Sequence, residues 1–580
     1  MNVKQARIIL GFRQLFCHRS AGATSIASQT SGARYRSSCV VPSNIQDVHS
    51  TLHSRCGSGG GGAGKRDLIG RFTQRTFHLT PTCQMALDSG SSNSVPKLKD
   101  PSLLKDLGLI GGKWVGAHDG KTMPVHNPAT GEVVAEVPLM GAQETAEAIA
   151  AADEAFQTWS KTTAKHRSQL LKKWYDLMLA NKEDLAVLMT VEQGKPLAEA
   201  RGEIEYGASF VEWFAEEAKR MYGDVIPAAR PDNRILVLKQ PVGVIAAITP
   251  WNFPVAMATR KLAPALAAGC TAVLKPAELT PLSATAVAEL ALRAGIPAGV
   301  INIVMGDAKS IGETLLKSKE VRKLTFTGST AVGKLLMKGA ADTVKKISLE
   351  LGGNAPFIVF DDADVALAAK GALTTKYRNM GQTCVCANRL LVQEGVYDEF
   401  AAAFAAEVAA LRVGNGLEAG VTQGPLIDER AVQKIEGHVE EALAKGARLA
   451  AGGKRHAAGP LFYEPTILLD ATPDMLATRE ENFGPVAPIM KFKTEEEAIR
   501  IANDTEYGLA AYFYTGSLTR GWRVAEALQY GMVGLNESNI STEAAPFGGI
   551  KQSGLGREGS KYGIDEYLEM KYVMLGNIRT

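Results

Sequence analysis

Val244-Ile245-Ala246-Ala247-Ile248-Thr249-Pro250-Trp251-Asn252-Phe253-Pro254 is a short apolar run closed by a Thr-Pro turn, and an Ala/Leu-rich helical segment, 256–268, follows at once. The alternation continues outward. Strand-like runs at 271–274, 300–304, 323–326 and 357–360 are separated by helical spacing at 283–294, 310–318 and 332–340. Strand and helix in regular alternation mark βαβ units, so residues 242–360 predict a parallel, doubly wound α/β sheet. Ligands of such sheets bind beyond the carboxyl ends of the strands, which singles out the turns that follow these runs.

A second α/β region is expected from about 354 to 549. Towards the N-terminus, residues 106–220 read as mostly helical, with 142–158 and 165–193 the longest stretches, and 233–240 alternates like an exposed strand. A chain of 580 residues is too long for one core, and two or three domains are expected. Apolar content of 46% and charge of 22% describe an ordinary globular composition. No run approaches the ~18 uninterrupted apolar residues of a membrane span.

The net charge of +3 averages two unlike parts. Residues 1–84 hold eleven Lys/Arg against two acids, which leaves 53 basic and 59 acidic residues in the body. That body has no nucleic-acid footprint. Before Asp47 there is no acid, while Lys4, Arg7, Arg13, Arg19, Arg34 and Arg36 alternate with Ser, Ala and apolar residues. This is the composition of a transit peptide, read as mitochondrial with a plastid as the alternative, followed by a flexible Gly-rich linker. Cys17, Cys39, Cys56 and Cys83 lie in this leader, so Cys270, Cys384 and Cys386 offer neither a disulfide framework nor a metal-ligand cluster, and no metal is expected.

Chemistry concentrates in three turns. Met380-Gly381-Gln382-Thr383-Cys384-Val385-Cys386-Ala387-Asn388-Arg389 places a cysteine between a helix-like and a strand-like run. Leu349-Glu350-Leu351-Gly352-Gly353 holds a carboxylate in an apolar, glycine-ended segment, and Thr249 to Pro254 adds the Asn252 amide. A nucleophile, a base and an oxyanion donor are thereby available.

Together these segments resemble the aldehyde dehydrogenase superfamily, from roughly residue 105 to residue 577. The resemblance implies a Rossmann-like NAD-binding domain (97–222 and 242–353), an α/β catalytic domain (354–559), and a small β oligomerisation hairpin (223–241) that pairs between subunits with a C-terminal strand (560–580, near 566–573). A homotetramer is the implied assembly. Cys384 is then the nucleophile, Asn252 the oxyanion donor and Glu350 the base that activates water, its pKa raised by its apolar flanks. Lys261 is a supporting residue for Asn252 or the thiol.

By the same resemblance the cofactor is NAD. Thr249, Trp251, Lys275, Glu278, Gly328, Ser329, Leu351, Glu481 and Phe483 are the implied cofactor residues. Lys275 and Glu278 meet the adenine ribose, where a carboxylate disfavours a 2′-phosphate, and Gly328-Ser329 opens a helix whose N–H groups suit a pyrophosphate. Glu481 and Phe483 hold the nicotinamide riboside.

Arg260 and Arg378 stand where relatives acting on apolar aldehydes carry aromatic side chains. Two cations facing one pocket are costly unless they meet an anion, and Ser541 adds a hydroxyl. The expected substrate is therefore an aldehyde bearing a carboxylate, succinate semialdehyde with glutarate semialdehyde as the alternative, and the implied setting is GABA degradation. Cys386, two residues from the nucleophile, is a candidate redox partner.

Overall fold

The computed structural model describes residues 95–578. The leader and linker read from residues 1–84, with their four cysteines, lie outside the described residues.

Val244–Ile248 lies near the middle of an eight-stranded sheet. In spatial order its strands are Gly554–Leu555, Lys346–Glu350, Val321–Thr327, Val244–Ile248, Thr271–Lys275, Ile301–Ile303, Gly108–Ile110 and Lys113–Val115. The five inner strands from Lys346–Glu350 to Ile301–Ile303 are parallel. Their crossovers are the helices Pro254–Ala268, Leu282–Arg293, Ala308–Lys317 and Thr330–Ala340. Pro254 opens the first of these, where its missing N–H costs nothing, and Gly269, at φ 97°, ends it.

A second sheet of seven strands follows the order Arg448–Ala451, Thr466–Leu469, Val486–Phe492, Ala387–Gln393, Ala355–Val359, Ala510–Tyr514 and Met532–Leu535. All neighbours are parallel except at the Arg448–Ala451 edge. Turns at the carboxyl ends of the first sheet's strands and at the amino ends of the second sheet's strands supply the candidate site.

Four expectations are corrected. The strand at 357–360, observed as Ala355–Val359, belongs to the second sheet, and Lys346–Glu350 takes its place in the first. Lys346 and Ser348 make that strand look like a loop, but their polar groups are accommodated laterally: Lys323 donates to Ser348 Oγ, and Lys346 Nζ donates to the carbonyls of Asp565 and Leu568. Residues 106–220 begin with two β-hairpins rather than helices, Gly108–Ile110 with Lys113–Val115 and Thr122–His126 with Val133–Pro138. Gly111 and Gly112, at φ 58° and 79°, permit the first turn.

The helical stretch at 165–193 is two helices, Ala164–Ala180 and Lys182–Gln193. Asn181 breaks it, its side-chain Nδ2 donating to the Leu177 carbonyl alongside its own backbone N–H. Finally, the strands expected to pair between subunits pair within one chain: Arg234–Pro241 runs antiparallel to Leu568–Leu575 over eight residues, with Asp224–Ile226 on its other side. Among the described residues no helix is long and apolar enough to cross a membrane.

Candidate active site

Asn252 lies in the turn after Val244–Ile248, and its Nδ2 donates at 2.9 Å to the carbonyl of Gln382, two residues before the thiol. This bond joins the first sheet's turn to the cysteine turn. The Asn252 carbonyl is held in turn by Lys195, whose Nζ donates to it at 2.7 Å and pairs with Glu203 at 2.5 Å. Glu203 caps the helix Pro254–Ala268 through the N–H groups of Val255 and Ala256. Lys261 was the expected support and does not fill that role: it donates to Thr327 Oγ1 at 2.6 Å and to Glu558. Lys195 escapes a sequence reading because a lysine beside a helix normally faces water. Its signal is the Gly194-Lys195-Pro196 break between two helices.

The cysteine turn is conformationally unusual. Asn379 and Met380 take left-handed φ values of 51° and 59°, a cost that packing around the turn must offset. A side chain on Gly353 would come within 2.3 Å of the Cys384 carbonyl, so glycine is required there. Burial pushes the Cys384 thiol up to about 12, although the Arg260 charge opposes this, so the resting thiol is protonated at neutral pH.

Glu350 ends its strand with the side chain buried at 2% exposure. Its Oε2 has no hydrogen-bond partner. Burial first, and then the neighbouring charge of Glu558, raises its pKa well above the carboxylate range, against the pull of Arg260 and Lys261. The carboxyl is therefore a proton acceptor of raised basicity, electrostatically coupled to Cys384.

Two cavities flank this centre. The larger, about 550 Å³, is lined by Trp251, Asn252, Gly328, Ser329, Leu351, Cys384, Glu481 and Phe483, eight residues expected at the site, together with Phe253. Phe483 crosses Trp251 edge to face at 5.6 Å, and one Glu481 oxygen accepts the Gly353 N–H at 2.9 Å. Burial raises the Glu481 pKa to about 7. Thr249 begins the same turn, and its buried Oγ1 has no partner. Lys275 and Glu278 bond each other at 2.6 Å at the neighbouring strand end, outside the wall of this cavity.

The smaller cavity, about 340 Å³, is lined by Glu199, Tyr206, Phe253, Arg378, Cys386 and Ser541 among others. The Arg378 guanidinium lies over the Phe253 ring at 4.9 Å and has no hydrogen-bonded or ion-paired partner among the described residues. Arg260 is placed differently. It is fully buried, paired to Glu558 through Nε, stacked over Phe547 at 4.1 Å, and lines neither cavity. Its Nη2 is buried without a partner among the described residues. Glu199 and Tyr206, which no sequence motif marks, bring a carboxylate and an unpartnered hydroxyl to this cavity.

Fold and site define a two-sheet α/β protein in which one cysteine stands between a cavity at the carboxyl end of a nucleotide-binding type of sheet and a cavity carrying an unpaired arginine. The chain belongs to the aldehyde dehydrogenase family, whose pattern matches residues 114–573. It is 64% identical over 515 residues to a mitochondrial succinate-semialdehyde dehydrogenase of Oryza sativa subsp. japonica, covering 89% of this chain and 97% of that one. It is 62% identical over 482 residues to a glutarate-semialdehyde dehydrogenase of Pseudomonas aeruginosa, covering 83% of this chain and 100% of the relative. Among solved structures, an E. coli enzyme described as NADP dependent matches with a TM-score of 0.82 at 59% identity, over 83% of this chain and all of that one.

Proposed function

We propose that the chain oxidises succinate semialdehyde to succinate with NAD, as a step of GABA degradation. The observation that carries the substrate is Arg378, a cation without a protein partner, facing a cavity beside the cysteine turn together with the Ser541 hydroxyl. A carboxylate there gains charge-assisted hydrogen bonds that a neutral chain end does not.

In this reading the Cys384 sulfur adds to the aldehyde carbon as its proton leaves. The Asn252 amide and the Cys384 backbone N–H hold the resulting oxyanion, worth several kcal/mol in the transition state. Glu350 takes a proton from water, the hydroxyl oxygen joins the thioester carbon, and the carbon–sulfur bond breaks to return the thiol. The larger cavity suits a dinucleotide: it offers an aromatic pair, a glycine turn and the partnerless Thr249 hydroxyl. Thr249, Trp251, Gly328, Ser329, Leu351, Glu481 and Phe483 would hold it, with Lys275 and Glu278 at the adjoining strand end. When bound, its nicotinamide supplies the hydride acceptor. Glu278 favours NAD by repelling a 2′-phosphate, against the NADP dependence of the E. coli relative, and the ratio of kcat/KM with NAD and NADP tests this.

The eight-stranded sheet is assigned to the cofactor and the seven-stranded sheet to the nucleophile. Exposed apolar side chains on both faces of the three-stranded sheet, Val225 and Leu238 on one and Ile226, Met570 and Tyr572 on the other, support a homotetramer built on that sheet. The basic leader, without an acid before Asp47, and the mitochondrial name of the rice relative support the mitochondrial matrix. Cys386 is proposed as a redox partner whose peroxide-driven disulfide with Cys384 stops turnover. Equal peroxide inactivation and thiol recovery in Cys386→Ala would overturn that.

The test of the substrate uses protein lacking residues 1–84, succinate semialdehyde and butanal, and NADH formation. Strong preference for the acid supports the anion site. Equal rates discard it, and preference for glutarate semialdehyde moves the assignment to the longer acid.

A further inference from the structure

Lys376 lies on the helix Val365–Tyr377, two residues before Arg378, and is fully buried. Among the described residues no carboxylate lies within ion-pairing distance of it, which is unusual for a lysine withdrawn from water. Its Nζ donates at 2.7 Å to Oδ1 of Asn482. Asn482 is the residue between Glu481 and Phe483, and it is fixed on two further sides. Its N–H donates to Asn388 Oδ1 at 2.9 Å, and its Nδ2 donates to the Val486 carbonyl at 3.2 Å. Asn388 is anchored to the carbonyls of Ala477 and Glu480.

The segment held this way does not have a relaxed backbone. Phe483 takes a left-handed φ of 49°, which an aromatic residue adopts only when its surroundings enforce it. That conformation sets the Phe483 ring against Trp251 in the larger cavity. The side-chain amide of Asn482 is the only one in this three-residue segment, and Lys376 is its only charged partner.

We propose that Lys376 is a positioning residue for the cofactor: through Asn482 it locks the Glu481–Phe483 segment in place and ties that segment to the helix Val365–Tyr377. The proposal rests on the reading of Glu481 and Phe483 as cofactor residues. Burial lowers the lysine's pKa to about 8, while the nearby charges of Cys386 and Glu481 favour its cationic form, so the amine remains a donor at neutral pH.

The test compares Lys376→Met, Lys376→Gln and Phe483→Ala with the parent, each lacking residues 1–84. Three quantities are measured: NADH affinity by fluorescence titration, KM for cofactor against KM for semialdehyde, and hydrolysis of p-nitrophenyl acetate, which needs the thiol and base but no cofactor. Lys376→Met is expected to weaken NADH binding about tenfold, the loss of one hydrogen bond to a charged donor, and to raise the cofactor KM alike. Ester hydrolysis and the semialdehyde KM should stay within twofold, and Lys376→Gln, which keeps a donor, should recover part of the loss. Unchanged NADH affinity in Lys376→Met, with weakened binding in Phe483→Ala, overturns the lysine proposal alone. Unchanged affinity in both overturns the cofactor reading with it. If Lys376→Met does not fold, Asn482→Ala removes the same bond from the other side, and the same outcomes decide.

Discussion

Arg260 and Arg378 carry the same guanidinium group, and each stands over an aromatic ring, yet their surroundings differ. Arg260 is sealed under Phe547 and bound to Glu558, which also holds Lys261, so one carboxylate serves two buried cations beside Glu350. Arg378 stands over Phe253 at a cavity wall and spends no hydrogen bond on the protein. The first is part of a closed charge network, whose loss leaves ions stranded in a low dielectric. The second has its hydrogen-bonding capacity free for a ligand. Residue type and sequence position suggest one paired clamp, and the structure divides the work between a frame and a contact.

The largest effect that separates the two regions is expected from Glu558→Gln. It strands Arg260 and Lys261 without a counter-charge, and removing one partner of a buried pair costs about 3–5 kcal/mol. The denaturation midpoint should fall accordingly. A midpoint unchanged within error would mean that the network adds nothing to stability. It would also return Arg260 to the role of a free cation.

Arg378→Gln should do the opposite. Loss of a charge-assisted hydrogen bond to the substrate carboxylate, about 1.5–3 kcal/mol, lowers kcat/KM for succinate semialdehyde about 10- to 100-fold. Butanal turnover and the denaturation midpoint should not move. In Arg260→Gln both substrates and the midpoint should suffer together. If the two variants behave alike, the contrast between frame and contact is wrong.

The charge network also sets a pH dependence. Glu350 accepts a proton only when ionised, and burial with the Glu558 charge keeps it protonated above the usual carboxylate range. Hydrolysis should therefore rise with pH, losing about tenfold per unit below the raised pKa. Removing the Glu558 charge lowers that pKa, so in Glu558→Gln, assayed below its unfolding temperature, the acid limb should shift to lower pH. A shift to higher pH, or none, would show that Glu350 is governed by something other than this neighbour.

Much of this arrangement was legible because the inner strands are short apolar runs between helices, a pattern that buried parallel strands impose. Cys384, Glu350 and Asn252 could be found for a related reason: each is a reactive side chain in or beside a glycine- or proline-marked turn at one end of such a run. What failed to show was lateral. Lys346–Glu350 hides its strand because the polar side chains of Lys346 and Ser348 are satisfied by neighbours distant in sequence. Lys195, Glu203 and Lys376 look like surface residues on helices until the fold buries them. The partition of the two arginines was equally hidden, because Glu558 meets Arg260 across 298 positions of sequence.

The finest test of the contact region is Ser541, which lines the same cavity as Arg378 from the loop after Met532–Leu535, the edge strand of the seven-stranded sheet. Its hydroxyl has no hydrogen bond within the described residues, so Ser541→Ala breaks nothing in the resting protein and its effect reports on the ligand alone. A neutral hydrogen bond is worth about 0.5–1.5 kcal/mol, so KM for succinate semialdehyde should rise about two- to tenfold. The sharper reading comes from combination with Arg378→Gln. If both side chains hold one carboxylate, loss of the arginine frees that end of the substrate, and the serine then has less left to hold. The double variant should fall short of the product of the two single effects. Strict multiplicativity would place Ser541 and Arg378 on separate parts of the substrate, and would confine the anion site to the arginine.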